Sequence, residues 1–316
     1  MLIKVLDRAA MGLDTPFAPL YELGEVITYD YTNKAELAER ICDADIIVVN
    51  KIKITREVML SAKKLRLICL FATGYDNVDV FAASELGIAV CNVPGYSTDS
   101  VAQITVATVL SLVSRLPVYS GYVKSGEYSA SGRANMLEPT YHEIRGMTWG
   151  IIGYGNIGRA VGRVAEALGA RVIVNKRTPD PEAENADIDR LCAESDIITI
   201  HCPLNEQTRG LIEKERISIM KRGVVIVNTA RGAVTNENDV ADAVLEGKIG
   251  AFGSDVYSDE PMTTEHPFNK IKSLQNVILT PHMAWGAYEA RARCVDIISE
   301  NISNFIDGKI KNRVEI

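Results

Sequence analysis

Short apolar runs alternate with helical patterns along the first hundred residues of the chain. The predicted strands cover residues 3–6, 26–29, 46–50, 67–71 and 89–92, and the predicted helices cover residues 34–42, 56–61 and 80–86. Several strand runs are apolar throughout, which fits a sheet that is covered on both faces. The alternation therefore predicts an α/β fold built on an open, doubly wound parallel sheet.

A second series of strands and helices starts at Met147. Before it, Pro and Gly interrupt the pattern at residues 92–98, a long apolar helix is predicted over residues 100–115, and a polar stretch rich in Gly and Ser follows at residues 124–132. A single core rarely grows beyond about 250 to 300 residues, and this chain has 316. We therefore predict two domains, with a crossing between them near Thr98.

The composition is typical of a soluble globular protein. The chain is 47% hydrophobic and 24% charged, and no apolar run approaches the ~20 residues of a membrane span. The net charge of −7 argues against a nucleic-acid partner, and the first residues lack the regions of a signal peptide. We expect a cytoplasmic protein that acts on a small molecule.

The cysteines indicate free thiols rather than a disulfide framework or a metal site. They are scattered without a CxxC pair, and most lie in apolar stretches. The six are Cys42, Cys69, Cys91, Cys192, Cys202 and Cys294. Buried free thiols are typical of a reducing compartment, so the sequence predicts no metal.

A glycine-rich loop follows a predicted strand that starts at Thr148. The loop reads Gly153-Tyr-Gly155-Asn156-Ile157-Gly158 and leads into a predicted helix over residues 159–168 and a second strand over residues 171–174. Glycines at this spacing allow a tight turn and a close approach of the backbone, so that a pyrophosphate meets the amides at the helix N-terminus. The complete strand-helix-strand context predicts a dinucleotide site.

The residues after the second strand bear on the choice of cofactor. An NAD enzyme usually has an acid there, which binds the ribose hydroxyls. This chain has Asn175, Lys176, Arg177 and Thr178, and the next acid is Asp180. Two cations and a hydroxyl suit a 2′-phosphate, so NADP is favoured over NAD. A solvated loop is the alternative for the two cations.

Three polar residues come after later apolar strands, at the edge of the sheet where ligands bind in open α/β folds. They are Arg231, Glu260 and His282. Reduction of a carbonyl group by a bound nicotinamide needs a proton donor for the oxygen, and an acidic substrate needs a cation for its carboxylate. His282 can donate the proton, Glu260 can orient the imidazole and favour its charged form, and Arg231 offers a planar fork.

Each of the three also has an ordinary structural interpretation. Arg231 could form a surface ion pair, Glu260 could be a turn acid before Pro261, and His282 could be a core histidine after Pro281. Their joint occurrence after a nucleotide loop favours the catalytic interpretation.

The order and spacing of these motifs resemble the D-isomer-specific 2-hydroxyacid dehydrogenase family. The resemblance rests on the glycine loop, Asn-Thr-Ala-Arg-Gly at residues 228–232, Asp-Val-x-x-x-Glu-Pro at residues 255–261 and Thr-Pro-His at residues 280–282. It implies a flavodoxin-like substrate domain at residues 1–99 plus 284–316 and an inserted Rossmann NAD(P)-binding domain at residues 100–283. It also implies an active site in the cleft between the domains, hinges near Thr98 and His282, and a homodimer.

Further site residues follow from the resemblance alone. Asp255 matches the family acid that contacts the nicotinamide carboxamide, and Thr105 matches a residue beside the nicotinamide. The other positions that match the cofactor-binding set are Cys202, Pro203, Thr208, Thr229, Ala230 and His282. The backbone amides of Ala72, Thr73 and Gly74 match the loop that binds the substrate carboxylate, although a tight turn explains the same residues. Trp285 either shapes a small substrate pocket or packs the hinge.

Within the family, residues 94–103 and 281–285 are most similar to the glycerate dehydrogenase or hydroxypyruvate reductase branch. This branch implies reduction of hydroxypyruvate or glyoxylate to D-glycerate or glycolate. Two alternatives stay open at this point: a dehydrogenase for a larger aromatic or branched D-2-hydroxy acid, and a nucleotide-sensing binding protein of the corepressor type.

Overall fold

The computed structural model describes residues 1–315 and divides the chain into two compact units. The first unit contains residues 1–97 and the chain from Trp285 onward, and the second unit is Thr98–Ala284. The sequence had suggested limits at 99/100 and 283/284. The first limit lies earlier because the long helix already begins at Thr98. The second lies later because the Ser100 hydroxyl donates to the carbonyl of Ala284 at 2.6 Å, within the second unit.

Strands and helices alternate through most of residues 1–315. The strands are β1 (Leu2–Val5), β2 (Glu25–Thr28), β3 (Ile46–Val49), β4 (Leu67–Leu70), β5 (Ala89–Cys91), β6 (Thr148–Ile152), β7 (Arg171–Asn175), β8 (Glu184–Asn185), β9 (Ile197–Ile200), β10 (Val224–Asn228), β11 (Ile249–Ser254) and β12 (Val277–Leu279). The helices are α1 (Ala18–Tyr21), α2 (Lys34–Ile41), α3 (Arg56–Leu60), α4 (Val80–Glu85), α5 (Thr98–Val113), α6 (Leu116–Lys124), α7 (Glu127–Ser131), α8 (Asn156–Ala167), α9 (Ile188–Glu194), α10 (Lys214–Ile219), α11 (Glu237–Leu245) and α12 (Tyr288–Ile306).

The first unit is a doubly wound sheet of five strands. Its order is β2-β1-β3-β4-β5, and every neighbouring pair is parallel. The order reverses between β1 and β3, which is the switch point of a flavodoxin-like sheet. Helix α12 buries Cys294 and Val295 in a cluster with Ile3 of β1. A second cluster joins Ile41 of α2 to Ile47 of β3, so apolar strands are buried on both faces.

The second unit is a Rossmann sheet of seven strands. Its order is β12-β11-β10-β9-β6-β7-β8, again with every pair parallel. The order reverses between β6 and β9, so the carboxyl ends of these two strands mark the crevice where such folds bind ligands. The predicted pair of doubly wound α/β sheets is therefore confirmed.

The long apolar helix is shorter at its C-terminal end than the pattern predicted. The prediction covered residues 100–115, whereas α5 ends at Val113. Arg115 has a left-handed φ of 54°, and α6 begins directly after it. No single helix in residues 1–315 is long and apolar enough to cross a membrane, but the bent pair of α5 and α6, at 67°, passes that test of length and composition together.

Candidate active site

Two glycines of the loop after β6 are required by the packing of the chain on itself. A side chain at Gly153 would place its Cβ 2.4 Å from the amide nitrogen of Cys202, and Gly153 has a φ of +91°. A Cβ at Gly158 would lie 2.3 Å from the carbonyl oxygen of Gly153. Neither position can hold a larger residue without a shift of the backbone.

Gly155 is different, because nothing lies within 4 Å of the position that its Cβ would occupy. It is the N-cap of α8, which begins at Asn156 and therefore includes Ile157 and Gly158, earlier than the predicted start at residue 159. No acid lies in the first turn of this helix. Open space at a helix N-terminus fits a phosphate, which the amides and the helix dipole both favour. The loop therefore fits the pyrophosphate of a nicotinamide dinucleotide.

Other predicted cofactor-binding residues lie at the same edge of the sheet. Cys202 and Pro203 follow β9, and Thr229 and Ala230 follow β10. Strand β9 lies between β6 and β10, so these residues and the glycine loop follow neighbouring strands. The hydroxyl of Thr208 donates to the carbonyl of Pro203 at 2.6 Å and holds the intervening turn.

A short chain of polar side chains runs behind this edge. The hydroxyls of Thr105 and Thr229 are 2.9 Å apart, and the hydroxyl of Thr229 is 3.3 Å from Nδ1 of His201. Burial lowers the pKa of His201 to about 3, so its ring is neutral at physiological pH. Nε2 of His201 has no hydrogen-bond partner within residues 1–315.

The acid nearest to the predicted 2′-phosphate position is already engaged. Asp180 is buried, and its carboxylate accepts from Arg159 and lies 3.5 Å from Nζ of Lys176. Its charge is therefore balanced by two cations. The ion pair with Asp180 also neutralises part of the positive charge of Lys176.

The neighbouring residues at the end of β7 form fewer ion pairs. The side-chain amide of Asn175 donates to the carbonyl of Ala186 at 3.0 Å, which holds the end of β7. Arg177 and Thr178 are exposed. Within residues 1–315 the guanidinium of Arg177 forms no ion pair.

Arg231 lies in a turn that directly follows β10. The side-chain amide of Asn228 donates to the carbonyl of Arg231 at 2.9 Å, and its oxygen accepts from the amide of Ala230 at 3.0 Å. The guanidinium of Arg231 donates to the carbonyl of Ala230 at 2.8 Å. The next residue, Gly232, has no room for a side chain, because its Cβ would lie 2.1 Å from the carbonyl carbon of Tyr257.

Glu260 and His282 form a close pair. Nδ1 of His282 is 2.6 Å from Oε2 of Glu260, and the side chains are 22% and 29% exposed, respectively. The other carboxylate oxygen of Glu260 accepts from the amide of Tyr257 at 3.2 Å. A carboxylate at this distance from an imidazole favours a hydrogen on Nδ1 and fixes the orientation of the ring.

Asp255 supports the loop that carries His282. Its buried carboxylate accepts from the Thr280 hydroxyl at 2.6 Å, the Met283 amide at 2.9 Å and the Ala284 amide at 2.8 Å. The family resemblance implied a contact between this residue and the nicotinamide carboxamide. The hydrogen bonds show a further role, which the sequence did not reveal.

The remaining predicted residues lie in the first unit. The Thr73 hydroxyl donates to the carbonyl of Val93 at 2.8 Å, and the side-chain amide of Asn92 donates to the carbonyl of Thr73 at 2.7 Å. The carbonyl of Ala72 also accepts from the amide of Val93. Together these bonds fix the turn that ends at Gly74.

Trp285 contacts Tyr96 edge-on, with ring centroids 6.3 Å apart, and both rings belong to the same apolar cluster. Packing within the first unit therefore accounts for part of the Trp285 surface. No group of three or more His, Cys, Asp or Glu residues within residues 1–315 could hold a metal ion.

The chain is similar to known proteins in sequence and in fold. A sequence profile described as D-isomer specific 2-hydroxyacid dehydrogenase, NAD binding domain, matches residues 106–284. The chain is 38% identical over 323 residues to a hydroxypyruvate reductase of Blautia hydrogenotrophica, with 99% of each protein covered. The TT0316 protein from Thermus thermophilus has a similar structure, with a TM-score of 0.90 at 32% identity and 100% coverage of both chains. An acyclic imino acid reductase in complex with NADPH and D-Arg gives a TM-score of 0.87 at 28% identity, again with 100% coverage of both chains.

Proposed function

Because the chain belongs to the D-isomer-specific 2-hydroxyacid dehydrogenase family, we propose that it reduces hydroxypyruvate or glyoxylate to D-glycerate or glycolate, with NADPH preferred. At the coarser level it is a nicotinamide-dependent oxidoreductase that interconverts small 2-keto and 2-hydroxy acids. The observation that carries the proposal is the 2.6 Å contact between His282 and Glu260, in the unit that also contains the glycine loop.

In this reaction His282 donates the proton to the substrate and accepts it in the reverse direction. Glu260 only accepts hydrogen bonds, so the hydrogen between the two residues belongs to Nδ1 of His282. Nε2 is then the nitrogen that gives a proton to the keto oxygen during reduction and takes it back during oxidation. The carboxylate of Glu260 stabilises the imidazolium that carries this proton. Bound nicotinamide supplies the hydride.

Arg231 binds the acid group of the substrate. A guanidinium presents two parallel N–H donors, which match a carboxylate or a carboxylate oxygen together with the adjacent keto oxygen. Asn228 holds the turn after β10, and the guanidinium donates to the carbonyl of Ala230 at 2.8 Å, so the side chain is partly ordered before the substrate arrives. This constraint lowers the cost of ordering the fork on binding.

The preference for NADPH rests on the residues that follow β7. Arg177 is exposed and forms no ion pair within residues 1–315, and the acid nearby, Asp180, is neutralised by Arg159 and Lys176. A 2′-phosphate would therefore meet a net positive surface with a hydroxyl donor at Thr178. The ratio of kcat/KM with NADPH to that with NADH tests this preference, and a clear advantage for NADH would contradict it.

We also propose that two copies of the chain associate. Exposed apolar side chains are concentrated in residues 116–141, which include α6 and α7. They are Leu116, Val123, Tyr128, Leu137 and Tyr141, with exposures of 55%, 57%, 36%, 71% and 52%. Exposed apolar side chains that are concentrated in one segment are typical of a self-association interface. Light scattering on the purified protein should give twice the mass of the chain, whereas a monomer would contradict this part of the proposal.

A panel of four keto acids tests the substrate. Hydroxypyruvate, glyoxylate, pyruvate and phenylpyruvate are each reduced with NADPH and with NADH, and kcat/KM is determined for every pair. We expect the highest values for hydroxypyruvate or glyoxylate. A preference for phenylpyruvate would indicate a larger pocket, and no reduction of any of the four would contradict the proposed function.

A further inference from the structure

The second unit contains another pair of a carboxylate and an imidazole, which the reaction described above does not use. Oε2 of Glu237, in the first turn of α11, lies 3.0 Å from Nε2 of His266. The side chains are only 8% and 3% exposed. Burial of such polar groups costs free energy unless they are well partnered, so the site needs a physical reason.

The hydrogen bonds fix the tautomer of the histidine. Nδ1 of His266 accepts from the amide of Phe268 at 3.2 Å, so the ring hydrogen lies on Nε2, the nitrogen that faces Glu237. The ring N–H is not aligned with Oε2 well enough for a regular hydrogen bond, although the distance is that of an ion pair. The contact between Glu237 and His266 is therefore electrostatic.

The second oxygen of Glu237 binds the backbone of the segment that carries Glu260. Oε1 of Glu237 accepts from the amide of Ser258 at 2.8 Å. The same segment also packs closely on Gly232, whose Cβ would lie 2.3 Å from the amide nitrogen of Ser258. The backbone at Ser258 therefore lies against Gly232 and is bound by the carboxylate of Glu237.

Tyr257 transmits this constraint to both members of the His282 pair. Its amide donates to Oε1 of Glu260 at 3.2 Å, and its hydroxyl donates to the carbonyl of Thr280 at 2.9 Å, two residues before His282. Its ring contacts the ring of His266 edge-on, with centroids 5.6 Å apart. Burial raises the pKa of Tyr257 to about 12, so the hydroxyl keeps its hydrogen throughout the working pH range.

We propose that Glu237 and His266 are positioning residues that hold Tyr257 and Ser258 so that Glu260 stays directed at His282. This inference rests on the proposed function, because it concerns the proton donor of the same reaction. The hydrogen bonds and the ion pair of the Glu237 and His266 side chains join them to Ser258, to Phe268 and to each other. Loss of the pair therefore slows the chemical step and leaves the binding of keto acid and cofactor nearly unchanged.

The experiment uses Glu237→Ala, Glu237→Gln and His266→Gln in the full-length protein. We expect Glu237→Ala to lower kcat by about 10-fold or more, since small displacements of catalytic groups have effects of this size. The KM for the keto acid and the Kd for NADPH should stay within about twofold of the wild-type values. Glu237→Gln keeps an acceptor for the Ser258 amide but loses the charge that faces His266. His266→Gln leaves the bond between Glu237 and Ser258 in place. Both variants should therefore lose less kcat than Glu237→Ala does.

Asp242→Asn is the matched control. Asp242 lies on the same helix and faces Lys270, in the turn that follows His266, at 3.5 Å. This pair joins the same two segments, but its side chains are 59% and 54% exposed. We expect no change in kcat for Asp242→Asn, because an exposed pair contributes little and does not contact Ser258.

A double variant separates positioning from general stability. If Glu237 acts through Glu260, then Glu237→Ala should have little further effect on kcat in a Glu260→Gln background. A purely structural role would lower the melting temperature equally in both backgrounds without this coupling in kcat. The inference is overturned if Glu237→Ala retains the wild-type kcat. If Glu237→Ala does not fold, wild-type kcat in both His266→Gln and Glu237→Gln overturns it instead. Additive effects of the Glu237 and Glu260 substitutions on kcat would also overturn it.

The wild-type protein is assayed first with the four keto acids. Absence of all activity would overturn the proposed function and, with it, this inference. Wild-type activity that survives in the Glu237 and His266 variants would overturn the inference alone.

Discussion

Asp255 holds the backbone on both sides of His282. Its carboxylate accepts three hydrogen bonds from residues 280–284. His282 has a φ of +53°, a left-handed conformation that costs a residue with a side chain about 1 to 2 kcal/mol. The bonds to Asp255 stabilise this conformation, which is the one that brings the imidazole to Glu260. A backbone conformation held in this way is common where a side chain must be directed precisely at a substrate or a partner.

The first prediction concerns Asp255→Asn. The amide of asparagine would bring a donor to a position where the carboxylate now accepts from a backbone N–H, so at least one hydrogen bond is lost. We expect kcat to fall by about 10-fold or more as His282 loses its orientation, and stability to fall by about 1 to 3 kcal/mol. Steady-state kinetics and urea unfolding measure the two effects.

Asp196→Asn is the control for this variant. Asp196 precedes β9, at the opposite edge of the sheet, and accepts from the amide of Thr148 at 2.8 Å. It should lose stability without a loss of kcat. Equal losses of kcat in the two variants would show that Asp255 has no specific relation to His282.

The second prediction concerns His282→Gln. Glutamine cannot supply a proton to the keto oxygen, so turnover should fall by ~10²-fold or more. The glycine loop and the residues after β9 are unchanged in this variant, and NADPH should bind with nearly the wild-type Kd. Fluorescence titration gives the Kd and initial rates give the turnover. Turnover within tenfold of the wild type would exclude His282 as the proton donor.

The third prediction concerns Glu260→Gln. A glutamine amide can turn its NH2 group toward Nδ1, so the hydrogen on Nδ1 and the orientation of the imidazole are no longer fixed. We expect kcat for reduction to fall by about 10-fold or more, with a nearly unchanged Kd for NADPH. Glu265→Gln, an exposed acid in the same loop, is the control and should keep the wild-type kcat. A wild-type kcat in Glu260→Gln would contradict the pairing.

The fourth prediction concerns Arg231→Lys. An ammonium group keeps the positive charge but cannot form the two parallel hydrogen bonds of a guanidinium. The KM for the keto acid should rise by about 10-fold or more, the equivalent of one lost charged hydrogen bond. Steady-state kinetics with the preferred keto acid measure this KM. An unchanged KM would show that other residues bind the substrate carboxylate.

The fifth prediction concerns His201 and the dependence of stability on pH. Burial lowers the pKa of His201 to about 3 in the folded protein, against an ordinary value of 6.5. Between these two values the unfolded chain binds a proton at this residue and the folded protein does not. The free energy of unfolding therefore includes a contribution that is complete above about pH 6.5 and is lost as the pH falls toward 3.

His201→Gln removes this contribution. Between pH 7 and pH 5 the variant should lose less stability in urea unfolding than the wild type does. Identical losses in the wild type and His201→Gln would show that the imidazole takes up a proton without unfolding.

The alternation of apolar runs was enough to place most strands of the first unit to within a residue or two. For example, the run at residues 46–50 became β3, which ends at Val49 because the amide of Asn50 donates instead to the carboxylate of Asp7, at 2.9 and 2.8 Å from its two oxygens. The period of a strand is a local property, whereas its end depends on a partner 43 residues away. Helix α5 likewise ends before a feature that the apolar pattern does not reveal, the left-handed Arg115.

Strand ends also placed the candidate site, because parallel strands direct their carboxyl ends to one edge. The supporting residues could not be found in this way. Glu237 lies in the first turn of a helix, where acids are common for electrostatic reasons, and His266 precedes a proline in a loop. Only the fold brings these two side chains within 3.0 Å of each other and beside Ser258.

Transfer of deuterium tests most directly whether this protein reduces a small 2-keto acid with a nicotinamide cofactor. The protein is incubated with hydroxypyruvate and NADPH that carries deuterium at C4 of the nicotinamide in the transferable position, and the product is analysed by mass spectrometry and chiral chromatography. We predict D-glycerate with one deuterium at C2. Unlabelled glycerate or the L-isomer would contradict the account, and so would unreacted hydroxypyruvate if glyoxylate is not reduced either.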